Sequence, residues 1–418
     1  MSLFEYVQDG EVKKASGTFF RGESTNFHPT NDSFSQPNFL SDYLMKGWEP
    51  SSKFVTKDTP IVAFGSCFAA NISNYLHSRG YNVLTKKDNR AYITRMGDGI
   101  VNTSAILQQF EWAWLNKAPE GDLWHGYKAQ EFGYEESVRL DTKALLDSAG
   151  LFVITLGLSE IWYDEVSGEV FWRAVPKDKY DPSRHKFRVA THAETLANLE
   201  AIRSIIRKFR PDAHILFSVS PIPLTATFRP VSCLTADAVS KAIIRGALDE
   251  FLRNNDKDEC LHYMPSYEAV TRLFNNQWTV DRRHIHPHVL RFNMQMFETF
   301  FCNPGLTSEQ LAETFRSATE EDLKIGMNGH ESEGLTYSEI RRLRSEEKRE
   351  KRRQVRIQER INSRAAERQL KIAERKDQVR SKGGIVATVT ARIAVGLLAL
   401  QGALALVFDW TILAVAVP

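Results

Sequence analysis

The sequence predicts a three-layer α/β/α domain on a parallel sheet, followed by a long basic helix and a hydrophobic tail. Three observations predict this. Between about Thr56 and Asn303 short apolar runs alternate with amphipathic stretches, the pattern of a sheet flanked by helices. Within the runs consecutive positions are apolar, as in strands buried on both faces. Charge is also segregated. Residues 340–382 hold 17 Lys and Arg against 7 acidic residues, so with a total of +2 the rest of the chain carries about −8.

Taken in order, residues 1–55 are rich in Ser, Asn, Pro and Phe and read as an irregular arm. The opening MSLFEYVQDGEVKKASG lacks a basic stretch leading into an apolar one, so no cleavable signal peptide is expected and the domain is placed in the cytoplasm. The main domain spans 56–305. Its buried strands are Ile61–Phe64, Leu151–Leu156 and Ile215–Val219, and its helices Ala69–Arg79, Ala193–Lys208 and Ala236–Arg253. A further amphipathic helix after Pro287 carries Leu290, Phe297 and Phe301 on one side. Residues 306–337 read as a polar connector. Residues 338–383 form the basic helix, which lacks Pro and has Glu347/Lys351 and Glu367/Lys371 in the favourable i,i+4 order. Its apolar residues keep no heptad register, so it is either a solvated single helix or one facing an anionic membrane surface.

The tail, 384–418, includes 16 uncharged residues from Ile393 to Phe408, about 24 Å of helix against a hydrocarbon core of about 30 Å. It reads as membrane-inserted, anchoring the chain to the inner face. A buried hairpin or an oligomer-forming tail is the competing reading. Cys67, Cys233, Cys260 and Cys302 are widely spaced and read as thiols of a reducing compartment. There is no internal repeat, and the oligomeric state is not legible. The basic residues are interleaved with acids and have no aromatics among them, which argues against a nucleic-acid partner.

Two stretches could carry chemistry. In Pro60-Ile-Val-Ala-Phe-Gly65-Ser66-Cys67-Phe68-Ala69 a buried strand runs through Gly-Ser directly into a helix. Ligands in open α/β sheets bind at the C-terminal strand ends, and helix starts offer N–H groups to anions. Ser66 is therefore a candidate nucleophile, although a simple N-cap explains it equally well. The second stretch is Asp281-Arg-Arg-His284-Ile-His286-Pro-His288. An Asp three residues before a His can turn back onto Nδ1 and leave Nε2 to accept a serine proton. His284-x-His286-x-His288 also permits a metal, but no carboxylate or cysteine ligands accompany it.

At this point a resemblance becomes specific. Gly65-Ser66-Cys67-Phe68-Ala69 spells the signature of the GSCFA family, which resembles the SGNH (GDSL-like) hydrolases. Gly97-Asp-Gly99-Ile-Val-Asn102-Thr103, Thr155-Leu-Gly157-Leu-Ser159-Glu160-Ile-Trp162, Ser220-Pro-Ile-Pro223 and Tyr263-Met-Pro-Ser-Tyr-Glu268 resemble further blocks of it, over roughly 20–305. The resemblance implies Ser66 as nucleophile and, through its N–H, as oxyanion donor. It also implies His284 as base, Asp281 as its orienter, and Gly97 or Gly99 as a second donor. The third block normally reads G-x-N-D. Here Ser159 stands in the asparagine position, so the third donor is either Ser159 itself or Asn102.

The implied activity is hydrolysis of oxygen esters of a small molecule or glycan, without metal or organic cofactor. An O-acyltransferase on the same machinery is an alternative, as is a non-catalytic, membrane-associated glycan-binding scaffold. Gly157-x-Ser159 lacks the second glycine of a nucleophile elbow, and Gly97-Asp-Gly99 lacks the third glycine of a dinucleotide fingerprint. Cys67 reads as a buried helix-start residue, Trp112 and Trp114 as core. Lys241 reads equally as facing the crevice or as solvated.

Overall fold

The structure is a computed structural model. It describes residues 2–328 except 9–10, 18–24, 31, 87–90, 96–98 and 126–132, and beyond 328 only the helical residues 349–350, 353–354 and 357. The chain divides into two compact units, 1–333 and 334–418. Nearly all of the basic helix and the whole hydrophobic tail lie outside the described residues. Among the described residues no helix is long and apolar enough to cross a membrane.

The arm expected to be irregular opens with an antiparallel hairpin, β1 (Ser2–Gln8) and β2 (Glu11–Gly17). The main domain begins with β3 (Ile61–Gly65), α1 (Cys67–Ser78), the short α2 (Tyr92–Arg95), α3 (Thr103–Leu115) and α4 (Glu136–Asp147). Next come β4 (Leu151–Leu156), β5 (Glu160–Asp164), β6 (His185–Val189), α5 (His192–Phe209), β7 (His214–Val219) and α6 (Cys233–Asn254). It ends with β8 (Leu261–Tyr263), α7 (Ser266–Leu273), α8 (Pro287–Phe301) and α9 (Ser308–Asn328). The last helix occupies most of the expected polar connector.

The central sheet is parallel, in the order β3-β4-β7-β8. Strand residues alternate between two cores, because side chains point to opposite faces at every step. Val62, Phe64, Phe152, Ile154 and Phe217 meet Ile106, Phe110, Ile202, Leu248 and their neighbours on α3, α5 and α6. Ile61, Ala63, Leu151, Val153 and Leu216 meet Phe68 and Ile72 of α1, Phe292 and Phe297 of α8 and Phe315 of α9. This is the three-layer α/β/α arrangement, and it explains the unbroken apolar runs. Trp112 and Trp114 are buried in the first core.

Helix starts match their sequences. Asn102 caps α3, Thr191 and Glu194 form a capping box on α5, Ser232 caps α6, and α8 begins with Pro287; the caps supply acceptors to otherwise unpaired N–H groups and the proline removes one.

Candidate active site

Ser66 lies between the C-terminal end of β3 and the first turn of α1, at the sheet edge where α/β ligands bind. Its N–H donates to Thr155 Oγ1 (2.8 Å) and more weakly to the Thr155 carbonyl (3.2 Å). Its Oγ lies 3.0 Å from Thr155 Oγ1 and accepts from Phe68 N–H at 3.2 Å. The serine is thus both the helix N-cap and a partner of β4. The N–H expected to be open to an oxyanion is committed to Thr155 here. Gly65 makes this closeness possible: it has φ of +130°, and a Cβ there would stand 2.2 Å from the Thr155 carbonyl oxygen.

Gly99 is buried and pairs with Ser66 through an isolated antiparallel bridge. Gly97 lies outside the described residues. Val101 follows, and its carbonyl accepts from Gly157 N–H at 2.8 Å, knitting this segment to the end of β4. Asn102 Oδ1 accepts from Ala105 N–H, and its Nδ2 is 3.5 Å from the Trp172 carbonyl. Ser159 is buried. Its N–H donates to Ser240 Oγ at 2.8 Å, while its own hydroxyl has no hydrogen-bond partner among the described residues.

Asp281 and His284 meet as the spacing suggests, through Asp281 Oδ2 and His284 Nδ1. Asp281 Oδ1 also accepts from Thr279 Oγ1 (2.9 Å), Arg283 N–H (3.0 Å) and His284 N–H (2.9 Å). Partial burial works against the charge, but the His284 and other hydrogen bonds prevail and hold this carboxyl well below the usual range. Arg282 takes φ of +57° to close the turn. The His284 side chain is 65% exposed, so its Nε2 edge is open. Among the described residues no hydrogen bond joins His284 to Ser66; each end of the expected triad is held by its own neighbours.

His284 pairs with Asp281, whereas the other two histidines pack against each other. His288 is buried on α8 with Nε2 3.5 Å from Asp322 of α9, and His286 stacks on His288. No cluster of three potential metal ligands occurs among the described residues.

Asp237 and Ser240 escaped the sequence reading, and with Lys241, which it left equally suited to the crevice or to solvent, they lie on one face of α6. Asp237 Oδ1 accepts from Leu224 N–H at 2.9 Å, and Ser240 holds Ser159. Lys241 is buried and donates to the Gly157 (2.7 Å) and Ile222 (2.8 Å) carbonyls. Burial pushes its ammonium down to about 8. The i, i+3, i+4 spacing places these side chains together, and they bind the loops after β4 and β7. Arg283 extends the network by donating to the Pro223 carbonyl at 3.3 Å, linking the His284 turn to the same loop. Beside these loops lies a cavity of about 330 Å³ whose wall includes Asn102, Leu158, Trp162 and Phe228.

A search of curated proteins finds no match for the chain. The model of the GSCFA family matches residues 60–297, more than half of the sequence and every block around Ser66 and His284. The chain belongs to the GSCFA family.

Proposed function

We propose that this protein is an SGNH-type serine hydrolase of oxygen esters, with Ser66 as nucleophile, His284 as base and Asp281 as its orienter. The observation that carries the reading is the Asp281–His284 pair: Nδ1 is engaged by the carboxylate while the Nε2 edge remains open. With Nδ1–H bonded to a carboxylate, Nε2 is the basic nitrogen. Ser66 supports it as a hydroxyl at the ligand-binding sheet edge.

In the reaction Ser66 Oγ attacks the ester carbonyl carbon while His284 Nε2 takes the hydroxyl proton. The tetrahedral intermediate collapses by breaking the bond to the alcohol oxygen, which leaves with the proton from His284. Water, deprotonated by His284, then attacks the acyl-serine, releasing the acid and restoring Ser66. Attack requires Ser66 Oγ to exchange its Thr155 contact for His284, a tightening that commonly awaits substrate. The membrane-anchored placement is part of the same proposal and rests on the uncharged stretch Ile393–Phe408. Carbonate extraction that releases the full-length chain from membranes would remove it.

The test is fluorophosphonate labelling of the full-length protein beside Ser66→Ala and His284→Ala. Labelling of the wild type alone, mapped to Ser66 by peptide mass, is the expected result. A folded wild type that takes no label sinks the hydrolase reading.

A further inference from the structure

The cavity of about 330 Å³ has no role in the steps above, yet it adjoins the segments that hold Ser66. Gly99 pairs with Ser66, and Val101, two residues on, binds Gly157. Val101, Asn102 and Leu158 then continue directly into the cavity wall. The space is therefore lined in part by the segments next to those that hold Ser66.

Its lining is predominantly apolar, with Leu158, Ile161, Trp162, Phe171, Phe187 and Phe228 among the larger side chains of the wall. Four polar side chains also line it: Asn102 and Glu160, which are buried, and Arg173 and Thr225, which are exposed. Asn102 is held by Ala105 and Trp172, and Glu160 Oε1 accepts from Thr227 Oγ1 at 2.8 Å. Glu160 Oε2 and the indole nitrogens of Trp162 and Trp172 each have less than 1 Å² of accessible surface. A hydroxyl-rich ring would meet polar side chains only at the exposed Arg173 and Thr225 and would give up water against the rest of the wall, which is costly. A hydrocarbon chain would gain. At the mouth Phe228 remains 54% exposed, although its ring packs edge-on against Trp162 with centroids 4.9 Å apart. Tyr180, 47% exposed, packs edge-on against Trp162 as well.

We propose that this cavity receives the acyl chain of the ester, so that the substrates carry a medium-length aliphatic acyl group and not acetyl. The inference rests on the serine-hydrolase reading. The alcohol part then lies on the open side, toward the exposed His284, which returns its proton.

The experiment compares p-nitrophenyl acetate, butyrate and octanoate on the full-length chain and on Ala226→Phe, a wall position exposed at the surface. Each buried methylene should raise kcat/KM about fourfold, and Ala226→Phe should lower the octanoate-to-acetate ratio at least about tenfold. A flat series, a preference for acetate, or an unchanged ratio in Ala226→Phe overturns the acyl-chain assignment and leaves the hydrolase standing. Turnover of none of the three esters, with no labelling of Ser66, removes the hydrolase reading instead. The cavity is then decided on the Ser66→Ala chain, by saturation-transfer NMR with sodium octanoate and methyl β-D-glucopyranoside. An octanoate signal lost in the double variant with Ala226→Phe supports a site for aliphatic chains; a glucoside signal in its place overturns it.

Discussion

Replacing Gly65 with alanine tests the geometry that brings Ser66 to β4. The residue sits at φ of +130°, and an added Cβ would lie 2.2 Å from the Thr155 carbonyl oxygen and 2.8 Å from its Oγ1. Backbone strain of this kind costs about 1–3 kcal/mol, and overpacking a buried contact about 1–3 kcal/mol more. Gly65→Ala should therefore lose about 2–6 kcal/mol. Gly80 provides the comparison, since it has φ of +80° with nothing within 4 Å of an added Cβ. Gly80→Ala carries the backbone cost alone, about 1–2 kcal/mol. Urea unfolding of both variants, followed by tryptophan fluorescence and near-UV circular dichroism, gives the two values. Losses equal to within about 0.5 kcal/mol would refute the close-approach argument, leaving the Thr155 contact without energetic weight.

Other perturbations address the His284 turn, the buried lysine and the core. Asp281→Asn should reduce Ser66 labelling about 10⁴-fold, because an amide no longer holds the imidazole in the required tautomer; labelling kinetics at near-normal rates would contradict this. The Asp281 carboxyl is held below its usual range. Its stabilising contribution is therefore present above the unfolded value of about 3.9 and lost as pH falls through the lower folded value, which urea unfolding at several acidic pH values should follow. Lys241→Met should cost about 1–3 kcal/mol for each carbonyl left without a donor. Since Lys241 is lowered to about 8 in the folded state, the unfolded chain binds more protons between there and about 10.4. This group makes stability rise with pH across that window, and the rise should vanish in Lys241→Met when unfolding is measured at several pH values. Trp112→Ala, at a fully buried position, should lose about 3–5 kcal/mol in the same assay.

The central strands were legible because burial on both faces leaves continuous apolar runs, and β4 spans the residues expected of it. β8 has only three residues, one of them His262, too few to show a pattern. β5 and β6 carry Glu160, Asp164, Lys186 and Arg188, so their pairing is written in backbone register more than in hydrophobicity. α9 was hidden among polar residues, although Leu311, Phe315 and Ala318 do mark a buried helical stripe. Within the site the Asp281–His284 contact could be read because it is local. The Ser66–Thr155 contact joins residues 89 apart, and only the threonine hydroxyl inside an otherwise apolar strand hinted at it. Lys241 was suited by the sequence equally to the crevice and to solvent; its burial depends on the two loops whose Gly157 and Ile222 carbonyls it holds.

The grip of α6 on those loops also bears on how the site can diversify. Leu224 is tied to Asp237 and Ile222 to Lys241, while Ser232 begins the helix that bears both anchors. The intervening stretch, 225–231, is thus fastened at each end to one rigid body. Apart from Thr227, which donates to Glu160 beside Ser159, it can change composition without shifting Gly157, Ser159 or the Arg283-linked turn, whose positions are set through the helix. Part of this stretch faces the cavity through Thr225, Ala226 and Phe228. On the hydrolase reading proposed above, this stretch is where the chain's selectivity can change while Ser66 and His284 keep their places.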